Sequence, residues 1–148
     1  MSTYTQILYH IVFSTKNREP VLEKQKLGEL YRYIGDIVQK RDGHLYGIGG
    51  AADHVHLLCS LHPAVALTDL VKEIKTATSS WIKSENIFPD FGYWQSGYGA
   101  FTCSPDAKEH VVQYIMNQER HHETESSPDE LKRLLAESGI EYDVEYFE

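Results

Sequence analysis

The apolar residues in the first part of the chain change from a strand-like to a helical period and back. Residues 5–14 form an apolar segment rich in β-branched and aromatic side chains, which predicts a buried strand. Residues 23–40 carry apolar side chains at helical spacing, and Asp42-Gly43 follows as a stop signal, so we expect a helix there. Residues 44–49 and 54–61 predict the two strands of a hairpin.

The second half of the chain repeats the alternation of helix and strand. An amphipathic helix is predicted over residues 67–84, followed by a short strand at 100–103. Ser104-Pro105 is a typical helix start, and we expect a third helix from there to about residue 121. A fourth, short helix is predicted from Ser126 to near Gly139. The order β-α-β-β-α-β-α is a split βαβ pattern, which predicts an α+β fold with an antiparallel sheet backed by two helices.

Length and composition favour an ordinary globular protein. The 148 residues predict a single domain spanning 1–148, and 41% hydrophobic with 24% charged residues exclude a disordered chain. The apolar runs are shorter than the roughly 20 residues that cross a bilayer, and the first residues lack the pattern of a signal peptide. We therefore expect a cytoplasmic protein with no membrane partner. Cys59 and Cys103 are expected to be reduced.

The net charge of −8 initially argues against a nucleic-acid partner. The charge is unevenly distributed, however. The last 30 residues hold 10 acidic and 3 basic side chains and carry −7, whereas residues 1–118 carry −1. The acidity therefore belongs to a C-terminal tail at about residues 122–148, for which either solubility or coverage of a site is a possible role.

The clearest chemical signal is the sequence His54-Val55-His56 in the second hairpin strand. Side chains alternate between the two faces of a strand, so the two imidazoles lie side by side on one face. Paired imidazoles are common ligands of divalent metals. The alternative is a pair of surface histidines, and a metal site would need a third ligand.

The third predicted helix offers such a ligand. Its apolar positions form one arc, comprising Val111, Val112, Ile115 and Met116. Its polar positions form the opposite side, comprising His110, Tyr114, Gln118 and His121. Tyr114 and Gln118 are four residues apart and therefore neighbours. The alternative is an exposed or interface tyrosine with an unrelated glutamine.

Together, these residues are compatible with phosphoryl chemistry. Two histidines and an amide oxygen can hold a divalent metal beside a phosphodiester, where the metal stabilises developing charge. A tyrosine hydroxyl nearby can attack phosphorus and form a covalent phosphotyrosine. Because an ordinary tyrosine has a pKa of about 10, the nucleophile would need a base or a nearby cation.

Several segments carry a family resemblance. His54-Val55-His56 is similar to the motif of HUH single-strand nucleases, and Tyr114 with Gln118 is similar to their single-tyrosine class. Four segments resemble IS200/IS605-family transposases, the single-tyrosine (Y1) type: YHIVFSTKNR (9–18), GIGGAADHVHLL (47–58), WQSGYGAFTCS (94–104) and VVQYIMNQERHH (111–122). The resemblance extends over roughly residues 4–147.

The resemblance implies a ferredoxin-like transposase that acts as a homodimer on single-stranded DNA bearing subterminal hairpins. It implies Tyr114 as a nucleophile that forms a 5′-phosphotyrosine, and a Mg²⁺ or Mn²⁺ cofactor held by His54, His56 and Gln118. In the family the tyrosine helix can complete the active site of the partner subunit, and we extend that to the third helix here as a hypothesis.

DNA contacts are less well defined. Candidate contacts are basic residues and one histidine: Lys16, Arg18, Lys72, Lys75, Lys83 and His121. The lysines of the second helix also fit an ordinary solvated face. Four nearby aromatic residues fit either base stacking or a core: Tyr93, Trp94, Tyr98 and Phe101.

Three other functions remain open at this point. One is a domesticated HUH nuclease that acts on repeat hairpins. Another is a noncatalytic RNA-binding module of the RRM type, which has a similar sheet. The third is a metal hydrolase that uses water, with Tyr114 purely structural.

Overall fold

A computed structural model describes residues 1–143 of the chain. Four strands form one sheet: β1 (Tyr9–Ser14), β2 (His44–Ala51), β3 (His54–Ser60) and β4 (Gly99–Thr102). The helices are α1 (Leu27–Lys40), α2 (Leu67–Ser84), α3 (Lys108–Met116), α4 (Gln118–His121) and α5 (Ser127–Glu137). Short 3₁₀ turns lie at Lys16–Arg18, Lys24–Lys26 and Pro105–Ala107.

The sheet has the order β2-β3-β1-β4, and every pairing is antiparallel. The central strands β1 and β3 pair so that Val12 lies opposite His56 and Ser14 opposite His54. This arrangement, with β1 and β3 in the centre and a helix in each βαβ half, is the ferredoxin-like topology. The α+β fold class predicted from the element order is confirmed.

The two faces of the sheet are covered by different helices. On one face, α1 and α2 enclose the main core, to which β3 contributes Val55 and Leu57, both fully buried. On the other face, α3 packs over a smaller core that contains Leu58 and Ile115. Alternation along β3 therefore directs His54 and His56 towards the face covered by α3.

The predicted boundaries differ most from the structure at the first strand and the third helix. The first strand begins at Tyr9, not at residue 5. The third helix begins as predicted, with the Ser104 hydroxyl accepting a hydrogen bond from Ala107 N. It is not continuous to residue 121, because Asn117 leaves the helical conformation (φ −99°, ψ 18°) and separates α3 from α4.

The helices of residues 1–143 are all too short or too polar to cross a membrane. The end of the resemblance, residues 144–147, lies outside the described residues.

Candidate metal and tyrosine site

The histidine pair on β3 is buried beneath α3. His54 is 2% exposed and His56 is fully buried, and their ring centroids lie 5.0 Å apart. The alternative of two surface histidines is therefore wrong. Buried imidazoles need specific partners, and those partners define the site.

Glycines in β2 allow α3 to lie directly against the sheet. A Cβ atom on Gly49 would lie 2.1 Å from the carbonyl oxygen of Ile115, and one on Gly47 would lie 3.2 Å from Val112. This close approach brings the Tyr114 ring to 6.0 Å from the ring of His56.

The predicted apolar arc of the third helix needs correction. Ile115 is buried, but Met116 is 63% exposed, whereas Gln118, placed on the opposite side by the helical projection, is fully buried. Gln118 is the first residue of α4, directly after the break at Asn117, and its side chain points towards the histidines.

Gln118 bridges the site through both ends of its amide. Its Oε1 lies 3.0 Å from His54 Nε2 and 2.8 Å from His122 Nε2. Its Nε2 donates to Glu130 Oε2 (3.0 Å) and to the Tyr114 carbonyl (3.4 Å). Because both of the latter groups are acceptors, the orientation of the amide is fixed.

A glutamate from α5 occupies the centre of the site. Glu130 is 1% exposed, and its Oε1 lies 2.8 Å from His56 Nε2 and 3.0 Å from His122 Nε2. Burial alone would raise the pKa of this carboxyl. The hydrogen bonds from His122, His56 and Tyr114 outweigh burial and hold the pKa far below its ordinary value.

Tyr114 is held between two charged residues of α5. Its hydroxyl donates to Glu130 Oε2 and accepts from Arg133 Nη2, at 2.8 Å in the latter case. Burial raises the pKa of Tyr114 well above its ordinary value. The hydrogen bond to Glu130 and the negative charge of that residue raise it further. In this arrangement the phenol stays protonated.

Outer contacts orient the two β3 imidazoles. Asp53 Oδ1 accepts from His54 Nδ1 at 2.7 Å, and Ser127 Oγ donates to Asp53 Oδ2. His56 Nδ1 lies 2.8 Å from His10 Nε2. Burial lowers the pKa of His10 to about 3 and the pKa of His56 to about 4, and the neighbouring imidazoles act in the same direction. Both rings are therefore neutral near pH 7.

The donor set fits a divalent cation. Ligand atoms of His54, His56, His122 and Glu130 all lie within 4.8 Å of one another. Imidazole nitrogens, a carboxylate and an amide oxygen are a usual mixture for such ions. The residues that would hold the ion are largely preorganised by their contacts with Asp53, His10 and α5.

The sequence motifs miss two members of the site, His10 and Glu130, and for His122 they are equally compatible with a role at the site, a structural role and a solvated tail. Glu130 had a detectable signal, because it lies four residues before Leu134 and so shares the apolar face of α5. An isolated acidic residue on an apolar stripe indicates a buried partner. His10 reaches the site because β1 pairs with β3, and His122 lies at the end of α4, beyond the break at Asn117. The motifs predict neither the strand pairing nor the break.

The proposed DNA-contact residues fall into separate places. Lys75 and Lys83 line a surface cavity of about 500 Å³ together with Ser79 and Tyr93. Lys75 Nζ also donates to the Gln95 carbonyl at 2.8 Å, so part of its role is to hold that loop. Lys16 Nζ lies 4.3 Å from the centre of the Tyr93 ring on the same side.

The remaining candidates lie elsewhere. Lys72 is exposed outside this cavity. Arg18 lines a second cavity, of about 350 Å³, beside His54 and Glu130. His121 Nε2 lies 2.6 Å from Glu125 Oε1, and its ring is 5.2 Å from that of Tyr114. Among the four aromatics, Trp94 and Phe101 are buried, whereas Tyr93 (49%) and Tyr98 (39%) are exposed.

The fold and the site define a class: ferredoxin-like proteins with a buried histidine pair on the sheet facing a helix-borne tyrosine and glutamine. The family model for IS200-like transposases matches residues 3–118, and the chain belongs to that family. The resemblance inferred from the four sequence segments is confirmed.

Two relatives support this assignment. The ISDra2 transposase TnpA of Deinococcus radiodurans is 26% identical over 118 residues, which cover 76% of this chain and 84% of the relative. A crystal structure described as a transposase of D. radiodurans R1 superposes with a TM-score of 0.62 at 28% identity, covering 80% of this chain and 96% of that one.

A more distant structure shares the fold. It is a REP-associated tyrosine transposase bound to a REP hairpin, with a TM-score of 0.57 and 18% identity. The match covers 78% of this chain and 70% of that one.

Proposed function

We propose that this transposase cleaves and rejoins single-stranded DNA at hairpin-bearing ends through a covalent 5′-phosphotyrosine formed by Tyr114. The observation that supports this most strongly is the convergence of Tyr114 and Gln118 with His54 and His56. Gln118 Oε1 lies 3.0 Å from His54 Nε2, and the ring of Tyr114 lies 6.0 Å from that of His56.

In this proposal the phenolic oxygen of Tyr114 bonds to phosphorus, and the bond from phosphorus to the 3′ oxygen breaks. The 3′ oxygen leaves and takes up a proton, while the phenolic proton passes to an acceptor. Glu130 Oε2 already accepts a hydrogen bond from this hydroxyl. The raised pKa of Tyr114 keeps the phenol protonated in the folded protein, so the proposal needs an acceptor at this position.

His54, His56 and Gln118 would hold a divalent cation, Mg²⁺ or Mn²⁺. When bound, the cation polarises a nonbridging phosphate oxygen and stabilises negative charge on it. Asp53 and His10 keep the two imidazoles in the orientation that this role requires. The cavity of about 350 Å³ beside His54 offers a route for a DNA strand to this point, with Arg18 on its wall.

The decisive experiment is to incubate the protein with single-stranded DNA carrying an imperfect hairpin, together with Mn²⁺ or Mg²⁺. We expect a protein–DNA adduct that survives denaturation. Tyr114→Phe should abolish the adduct and leave DNA binding within about two-fold. Tyr46→Phe is the matched control, because Tyr46 is a partly buried tyrosine on the same face of the sheet.

Cleavage by Tyr114→Phe would instead identify water as the nucleophile and Tyr114 as structural. Absence of both cleavage and an adduct in the wild type, with binding retained, would favour the noncatalytic alternative. Cleavage without strand rejoining would favour a nuclease over a transposase.

The proposal includes a homodimer, and the contact between Tyr114 and His56 within one chain favours action in cis over the alternative, in which the tyrosine helix completes the partner's active site. Mixing Tyr114→Phe with His56→Ala separates the two arrangements. Since Tyr114 packs against His56 of its own chain, we expect no adduct from the mixture. Recovery of the adduct would show that the helix acts in trans.

A further inference from the structure

Five ligand-type atoms surround one point between β3, α4 and α5. Glu130 Oε1 lies 3.5 Å from His54 Nε2, 2.8 Å from His56 Nε2 and 3.0 Å from His122 Nε2. Gln118 Oε1 lies 3.0 Å from His54 Nε2 and 2.8 Å from His122 Nε2. Ligands at right angles around an ion with bonds of about 2.1 Å are about 3 Å apart, which matches this spacing.

The hydrogen-bond pattern brings lone pairs together at that point. His54 Nδ1 donates to Asp53, so a neutral His54 carries no proton on Nε2. This Nε2 faces two acceptor oxygens, Oε1 of Gln118 and Oε1 of Glu130. Rotating the Gln118 amide would break its two donor contacts. A cation would satisfy all three converging lone pairs at once.

We propose that Glu130 and His122 bind the same divalent cation as His54, His56 and Gln118, so that helix α5 is part of the metal centre. This inference rests on the proposed function, which assigns a cation to the histidine pair. Three imidazoles, one amide oxygen and one carboxylate form a nitrogen-rich set. Such a set favours a first-row transition ion over Mg²⁺, which prefers oxygen ligands.

The competing explanation is that Glu130 only compensates the histidines when no ion is bound. In that case the carboxylate would leave when the ion enters, and it would compete with the ion for the imidazoles. The two explanations predict opposite effects of removing the carboxylate charge, which makes them separable.

The first test is calorimetric titration with Mn²⁺ alone. Glu130→Gln keeps the size of the side chain and should weaken Mn²⁺ binding about ten-fold or more, as expected for a lost charged ligand. Asp129→Asn is the control, because it makes the same charge change at the adjacent, exposed position of α5. Unchanged or tighter binding by Glu130→Gln would overturn the proposal. Far-UV circular dichroism in EDTA checks that the variant is folded.

The second test follows the helix itself by amide hydrogen exchange. If Glu130 is a ligand, Mn²⁺ should slow exchange across α5 (Ser127–Glu137). Faster exchange of α5 on adding Mn²⁺ would show that the carboxylate is released.

His122→Gln should also weaken Mn²⁺ binding, with His110→Gln as an exposed control. Equal affinities of the two variants for Mn²⁺ would remove His122 from the ligand set.

His56→Ala separates this proposal from the proposed function. If His56→Ala loses Mn²⁺ binding while Glu130→Gln retains it, the histidine site stands and the role of α5 is wrong. If His56→Ala binds Mn²⁺ as the wild type does, the histidine pair does not hold the cation and the proposed metal site is wrong.

Discussion

The two oxygens of the Glu130 carboxylate face different parts of the site. Oε1 faces the imidazoles of His56 and His122, whereas Oε2 accepts from the Tyr114 hydroxyl and the Gln118 amide. One side chain therefore links the metal-type donors to the tyrosine. A change in charge at either end alters the electrostatic environment of the other.

The link between Asp53 and His54 gives a prediction at this scale. Asp53→Asn should weaken Mn²⁺ binding about 10- to 100-fold, because the carboxylate fixes the orientation and tautomer of the His54 ring. Titration calorimetry measures the effect, and Asp90→Asn, at an exposed position, is the control. Equal affinities for the two variants would contradict an orienting role.

How far the sequence predicts individual site residues depends on the range of the interaction. His54 and His56 follow from strand alternation, and Tyr114 with Gln118 follow from helical spacing, both of which are local. Glu130 and His10 join the site through contacts far along the chain, for example 74 residues between His56 and Glu130. Such contacts need the tertiary arrangement, which single-sequence periodicity does not contain.

At the scale of elements, the position of α3 depends on the glycines of β2. A Cβ atom on Gly49 would come within 2.1 Å of a backbone oxygen, which cannot move without shifting the helix. Gly49→Ala should therefore destabilise the protein by about 2–3 kcal/mol, which lowers the melting temperature by roughly 5–10 °C. Thermal unfolding tests this against Gly92→Ala, where a Cβ atom would meet nothing within 4 Å. A Gly49→Ala melting temperature equal to that of the control would contradict direct packing of α3 on β2.

The elements themselves are largely predictable from the sequence. Helix α2 has the predicted bounds of Leu67–Ser84, because its amphipathic pattern is long and uninterrupted. The break at Asn117 is not predicted, since the residues around it are compatible with a continuous helix. There the burial of Gln118 against the histidines overrides local preference.

For the whole molecule, the buried histidines predict a dependence of stability on pH. The folded-state pKa values of His10 and His56 are lowered to about 3 and about 4, so the unfolded chain binds more protons than the folded one below pH 6.5. In EDTA, the free energy of unfolding should therefore fall as the pH is lowered from 6.5 towards 4. Protonation of Glu130 at still lower pH also reduces the free energy of unfolding, because the folded-state pKa of this carboxyl is lowered too.

His122 opposes this trend above pH 6.5. Burial lowers the pKa of His122, but the hydrogen bond to Glu130 and the negative charge of that residue outweigh burial and raise the pKa overall. The stabilisation that protonated His122 gives the folded state is therefore lost as the pH rises. Urea unfolding at several pH values measures the whole profile. His10→Gln should reduce the slope between pH 4 and 6.5, whereas His110→Gln, at an exposed position, should not. A flat profile over that range would contradict neutral burial of the pair.

The acidic tail also belongs to this scale. The sequence assigns its charge of −7 to a tail that serves solubility or covers a site. In the structure, Glu130 of that segment is almost fully buried among the imidazoles, and Glu125 pairs with Arg133. At least part of the tail charge is thus neutralised locally.

The family match ends at residue 118, while His122, Glu130 and Arg133 lie beyond it. All four motif residues fall inside the matched range, yet Glu130 and Arg133, which hydrogen-bond to the Tyr114 hydroxyl, fall outside it. Substitutions after residue 118 can therefore change the hydrogen bonds and the pKa of Tyr114 without disturbing the sheet. Two chains with the same sheet and the same four motif residues can thus differ in the surroundings of the tyrosine through the C-terminal segment alone.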